Sequence, residues 1–174
     1  MKRENLSGRI LKDIRPRQSA CTTLNWLFEH TLYTLALNPR MPLDDPASWY
    51  RLLSPCLVHF SLLHIAFNLV MWEALARPLE RRLGRLNLVG LTLVVGVLSN
   101  ALQYFLMSDL GTFGGLSGVV YGVIGCEAAL VKLRPGMSDL VPPWLFTVSL
   151  IFIGLGFFLS GIANFCHLGG LAAG

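Results

Sequence analysis

Charge is spread very unevenly along this chain. Of its 24 Lys, Arg, Asp and Glu residues, 13 fall in residues 1–51 and 11 in the remaining 123. So few charges cannot give a globular domain of that length a solvated surface. Over the whole chain 53% of residues are hydrophobic and 14% charged, whereas an average soluble domain is about 25% charged. The pattern excludes a nucleic-acid-binding domain, a disordered tail and an ordinary cytosolic enzyme. It predicts an all-α membrane protein, because one span takes roughly 20 mostly apolar residues.

Residues 1–19 hold six Lys/Arg and two acids and read as a basic cytoplasmic tail lying on anionic lipid. The transmembrane domain is then 20–174, firm from about Trp49. Segment 20–38 is long enough to cross, but Glu29, His30 and its threonines make it a weak first helix. Residues 39–55 form a loop with four prolines. Spans are predicted at 57–76, 86–107, 116–131 and 142–160. A last one begins near Ala163 and reads as truncated at Gly174.

Loop charge orients these spans. Arg77, Arg81, Arg82 and Arg85 lie in the loop around 77–85, and Lys132 and Arg134 in the loop around 132–139. Segments 108–112 and 160–162 hold no Lys or Arg. The first two loops are therefore expected inside and the last two outside. The four cysteines, at 21, 56, 126 and 166, form no CxxC pair and read as structural thiols.

Polar side chains inside spans are costly and need a partner or a task. His59, His64 and Asn68 fall in the outer half of the first firm span, with His64 and Asn68 four apart on one face. Ser117 opens the third span inside GGLSG, which also contains Gly115. His167 follows Asn164 at the start of the last span. All three spans enter from outside, so His64, Asn68, Ser117 and His167 share one depth although they lie up to 103 positions apart. A serine needs a base, and imidazole suits. An oxyanion needs donors, which a helix-opening N–H, an Asn amide and an imidazole can supply. Glu127 lies roughly 15 Å of helix away from Ser117, so the set reads as a Ser–His dyad without a carboxylate. Gly114, Gly118 and Gly122 recur every four residues, as do Gly170 with Gly174 and Gly169 with Ala173. Such small-residue faces let helices pack closely in lipid. Tyr121 lies one turn below Ser117 and is placed to pack on the His167 ring.

Four segments, HFSLLHIAFN (59–68), ERRLGR (80–85), FGGLSGVVYG (113–122) and HLGGLAAG (167–174), together resemble the rhomboid family of intramembrane serine proteases, of the bacterial GlpG-like type. The resemblance runs from about Trp49 to Gly174. It implies a six-helix transmembrane bundle, here with a weak or missing first helix and a truncated last one. It implies cleavage of transmembrane protein substrates in or near their membrane span, in the bacterial inner membrane, with the site facing the periplasm. It casts Ser117 as nucleophile, His167 as base and His64 and Asn68 as oxyanion-hole donors. Tyr121 becomes the residue stacking on the base, and Glu80 with Arg82 a structural ExR pair.

Other readings stay open at this point. Ser117 can be a simple helix cap, His64 and Asn68 interhelical glue, and His59 a structural or interfacial histidine supporting the site alongside Gly115. The whole chain can be a catalytically impaired relative that binds transmembrane clients, or a small-solute transporter. A transporter favours internal repeats, and none is visible. No metal, organic cofactor or nucleic acid is implied.

Overall fold

The computed structural model describes residues 20–37, 43–107, 111–134, 136–137, 140, 142–159 and 161–174. The basic tail of residues 1–19 lies outside them. The chain forms two compact units, Met1–Thr34 and Leu35–Gly174. The first contributes most of helix α1 (Ala20–Leu35). Within it the Trp26 and His30 rings stack at 5.1 Å.

The second unit is built from helices α2 (Leu62–Leu83), α3 (Arg85–Leu106), α4 (Ser117–Leu133), α5 (Pro143–Gly156) and α6 (Asn164–Ala173). Two 3-10 segments, Pro46–Leu52 and Ser54–Leu57, precede α2. The described residues contain no strand, only an isolated antiparallel bridge between Leu37 and Phe113. Among the described helices, α3 is long and apolar enough to cross a membrane, and α5 is apolar but shorter.

Helix α2 departs from the sequence expectation at both ends. It starts at Leu62 rather than Leu57, because Pro55 sits in a 3-10 turn and Ser61 caps the helix, its Oγ accepting from the His64 N–H at 3.0 Å. It continues seven residues past Ala76, through Pro78, and ends where Gly84 turns left-handed at φ +84°. The arginines 77, 81 and 82 are thus helical. A basic cluster marks where apolar surface ends, which is a separate matter from where the helix ends. Cations near the carbonyl end of α2 also complement its dipole.

Large apolar side chains face outward as well as inward, and several polar ones are buried among the apolar core. Leu62, Leu63, Phe67, Leu86 and Phe105 are exposed, while Asn68, Ser99, Asn100, Gln103, Glu127, Ser149 and Asn164 are buried. A bundle in lipid needs no apolar interior to drive it, and polar groups turn inward instead. One apolar cluster remains, where Leu75, Ala76 and Leu79 of α2 meet Leu88 of α3 and Val120, Val123 and Ile124 of α4.

Helix α6 is held against α3 and α4 by its small residues. A Cβ on Gly170 would collide with the carbonyl oxygen of Gly118, and one on Gly174 with that of Gly122. A Cβ on Gly169 would instead press on Leu102, at 2.9 Å. The two small-residue series of α6 therefore face different neighbours, Gly170 and Gly174 against α4, Gly169 against α3. Gly114, the first of the α4 series, lies ahead of that helix and packs on Val58.

Buried amides tie the same three parts together. Asn100 on α3 donates to the Leu52 carbonyl at 2.9 Å, and its Oδ1 lies 3.5 Å from the Cys166 thiol. Gln103, one turn on, accepts the Cys166 N–H at 2.9 Å. One face of α3 thus holds both the 3-10 segment and the start of α6.

Candidate active site

The segment 113–116 is laid down by backbone contacts before α4 begins. The Gly115 N–H donates to the Pro55 carbonyl at 2.8 Å, and Phe113 N–H to the Leu37 carbonyl at 3.3 Å. Gly115 adopts φ +133°, a region open to glycine, and it has no room for a side chain. A Cβ there would sit 2.9 Å from His64 Nε2 and 3.6 Å from Ser117 Oγ. The His64 imidazole and the Ser117 hydroxyl thus both border Gly115.

Ser117 is the first residue of α4 and is half-buried. The opening N–H groups of a helix have no intrahelical acceptor, so they are available beside its side chain. His167 is the fourth residue of α6. Its Nε2 lies 2.7 Å from Ser117 Oγ. That closeness follows from the packing, because the Gly118–Gly170 contact brings the two helix starts together without side chains between them.

Tyr121, four residues after Ser117, stacks its ring on His167 at 4.7 Å between centroids and 26° between planes. Among the described residues no carboxylate is hydrogen-bonded to His167. The imidazole is oriented by the serine on one edge and the tyrosine on its face.

Asn68 is 2% exposed, and its Nδ2 donates to the His64 carbonyl at 2.9 Å. An amide nitrogen carries two hydrogens, so the second remains for another acceptor. His64 and His59 meet edge to face at 4.9 Å. His59 is not in the helix, as the sequence had suggested, but in the extended approach to it. There its Nε2 accepts the Leu116 N–H at 3.4 Å, which fixes the residue just before Ser117.

Some features were missed by motif reading. The Pro55 carbonyl and Leu116 N–H carry no side-chain signal and cannot be read from residue types. Asn100 and Gln103 could have been found, since Gly96, Ser99, Asn100 and Gln103 share one helical face of α3. Glu80 Oε1 accepts from Arg85 Nε at 3.3 Å, and Arg82 donates to the Gly136 carbonyl at 3.5 Å.

Glu127 is fully buried, and neither carboxylate oxygen has a hydrogen-bond partner among the described residues. It stands ten residues from Ser117 on α4 and takes no part in the site. Among the described residues no three His, Cys, Asp or Glu side chains converge as metal ligands do.

Residues 46–174 match the Rhomboid domain. The chain is 37% identical over 128 residues to "Rhomboid protease GlpG homolog" of Cronobacter sakazakii, covering 72% of this chain and 46% of that protein. It is 39% identical over 128 residues to "Rhomboid protease GlpG" of Serratia proteamaculans, covering 72% and 45%. Over 129 residues it is 39% identical to the protein of the same name from Yersinia pestis strain Pestoides F, covering 72% and 45%. The chain thus matches a little under half the length of these relatives.

Proposed function

Because the chain belongs to the rhomboid family, whose members are integral membrane proteins, we propose that it is a multi-pass serine endopeptidase that cuts transmembrane protein segments with a Ser117–His167 dyad. The observation that carries this reading is the 2.7 Å approach of Ser117 Oγ to His167 Nε2. A hydroxyl needs a base within such reach to become a nucleophile.

Each step then has a residue. Ser117 Oγ attacks the scissile carbonyl carbon, and its proton passes to His167 Nε2. The carbonyl oxygen becomes an oxyanion, for which the opening N–H groups of α4, the second Asn68 hydrogen and the His64 imidazole are the donors. Collapse breaks the C–N bond, and His167 gives its proton to the leaving amine. Water then attacks the Ser117 ester, losing a proton to His167, and the acid is released as Ser117 regains its hydrogen. Tyr121 keeps the imidazole plane fixed through both proton transfers, a task for which a triad uses a carboxylate. His59 and Gly115 position the oxyanion wall.

The basic ends of α2 and α3 face the cytoplasm in this reading, and the site opens outward, to the periplasm in a bacterial inner membrane. Spans α2, α4 and α6 then run inward from the site. The test is cleavage of a transmembrane substrate reconstituted in liposomes with this chain. Ser117→Ala and His167→Ala should each abolish cutting. Continued cutting by Ser117→Ala would overturn the proposal.

A further inference from the structure

Two cavities lie side by side along α2 and α3, away from the dyad. One, of about 330 Å³, is lined by Glu73, Arg77, Glu80 and Arg81 together with Trp72, Ala76 and Leu88. The other, of about 310 Å³, shares Trp72, Glu80 and Leu88 and continues along Arg85, Val89, Thr92 and Leu93. Three shared residues make them one groove with unlike ends. Its walls follow helix geometry. Residues 73, 77 and 81 form one ridge of α2, 72, 76 and 80 the adjacent ridge, and 85, 89, 92 and 93 a face of α3.

We propose that this groove binds an anionic phospholipid, its phosphate at Arg77, Arg81 and Arg85 and an acyl chain along Val89 and Leu93. Charge complementarity supports the occupant. Glu73 is paired with Arg77, and Glu80 with Arg85 at 3.3 Å. Arg81 has no partner among the described residues. The groove therefore carries one uncompensated positive charge, which matches one phosphodiester. A free phosphate would use only the arginine end. From Arg85 to Leu93 the groove runs about 12 Å along the helix, turning from charged to apolar, as a headgroup turns into its chain. Trp72 and Glu80, two turns apart on α2, both line the seam between the two cavities. Basic pockets between helices on the cytoplasmic side are a known way to hold acidic headgroups.

The test needs no proteolysis, so it stands apart from the dyad. The delipidated protein in neutral detergent is titrated with phosphatidylglycerol or phosphatidylcholine, and bound lipid is counted by native mass spectrometry. Phosphatidylglycerol should bind at least tenfold more tightly. Arg81→Gln should erase that preference, and Val89→Trp, which fills the apolar end and keeps every charge, should weaken binding at least fivefold. Circular dichroism checks that each variant keeps its helices; both sites are at the surface, so either variant alone decides if the other misfolds. Equal binding of the two lipids, or full preference in Arg81→Gln, would overturn the proposal. So would displacement of the lipid by low-millimolar inorganic phosphate, or unchanged binding in Val89→Trp, either of which would mark a small-anion site.

Discussion

The contact between α4 and α6 and the contact between α2 and α3 are built in opposite ways. Between α4 and α6 the backbones touch, with glycine facing a carbonyl at Gly118–Gly170 and Gly122–Gly174. Between α2 and α3 large side chains meet at Leu79 and Leu88, and a charged groove is left beside them. The first contact has no spare volume and carries the two residues that must stay 2.7 Å apart. The second has room and carries none of the proposed chemistry. Precision in this fold is located where side chains are absent.

Substitutions at a closely packed, a hydrogen-bonded and an open position break or sharpen that contrast. Gly170→Ala should do most harm, because its Cβ has nowhere to go but into the Gly118 carbonyl. Overpacking of this kind costs about 3 kcal/mol, visible as a lower thermal midpoint in detergent. Displacing His167 by as little as about 1 Å should also cut proteolysis by roughly 10²-fold. Asn100→Ala should be milder. It strips the Leu52 carbonyl and Cys166 thiol of a buried partner, a loss of about 2 kcal/mol in stability, with a smaller fall in cleavage rate. Gly90→Ala should do least. A Cβ there meets nothing within 4 Å, so helix propensity alone acts and stability should rise by up to about 1 kcal/mol with cleavage unchanged. Equal effects from Gly170→Ala and Gly90→Ala would show that the close approach at Gly170 confers no special sensitivity.

Much of this arrangement was legible in the sequence. The positions of α3 and α4 followed from apolar runs, and the site from polar residues too costly to leave unexplained in such runs. The small-residue series pointed to the α4–α6 contact, although Gly169 turned out to face α3. The end of α2 was not legible, since hydropathy reports where apolar surface stops and Gly84 decides where the helix stops. His59 was misplaced into the helix because spacing alone cannot show that Ser61 caps it. The hold on Leu116 and Gly115 is made by backbone groups, which every sequence carries alike. Asn100 and Gln103 did leave a signal, a polar stripe on α3 that only a face-by-face count reveals.

The dyad itself is tested most directly by a fluorophosphonate probe, which labels a serine only when a neighbouring base activates it. The detergent-solubilised chain should be labelled at Ser117, with labelling lost in Ser117→Ala and in His167→Asn, while Gly90→Ala labels as the parent does. Undiminished labelling of His167→Asn, or labelling at a serine other than Ser117, would contradict an activated Ser117–His167 pair.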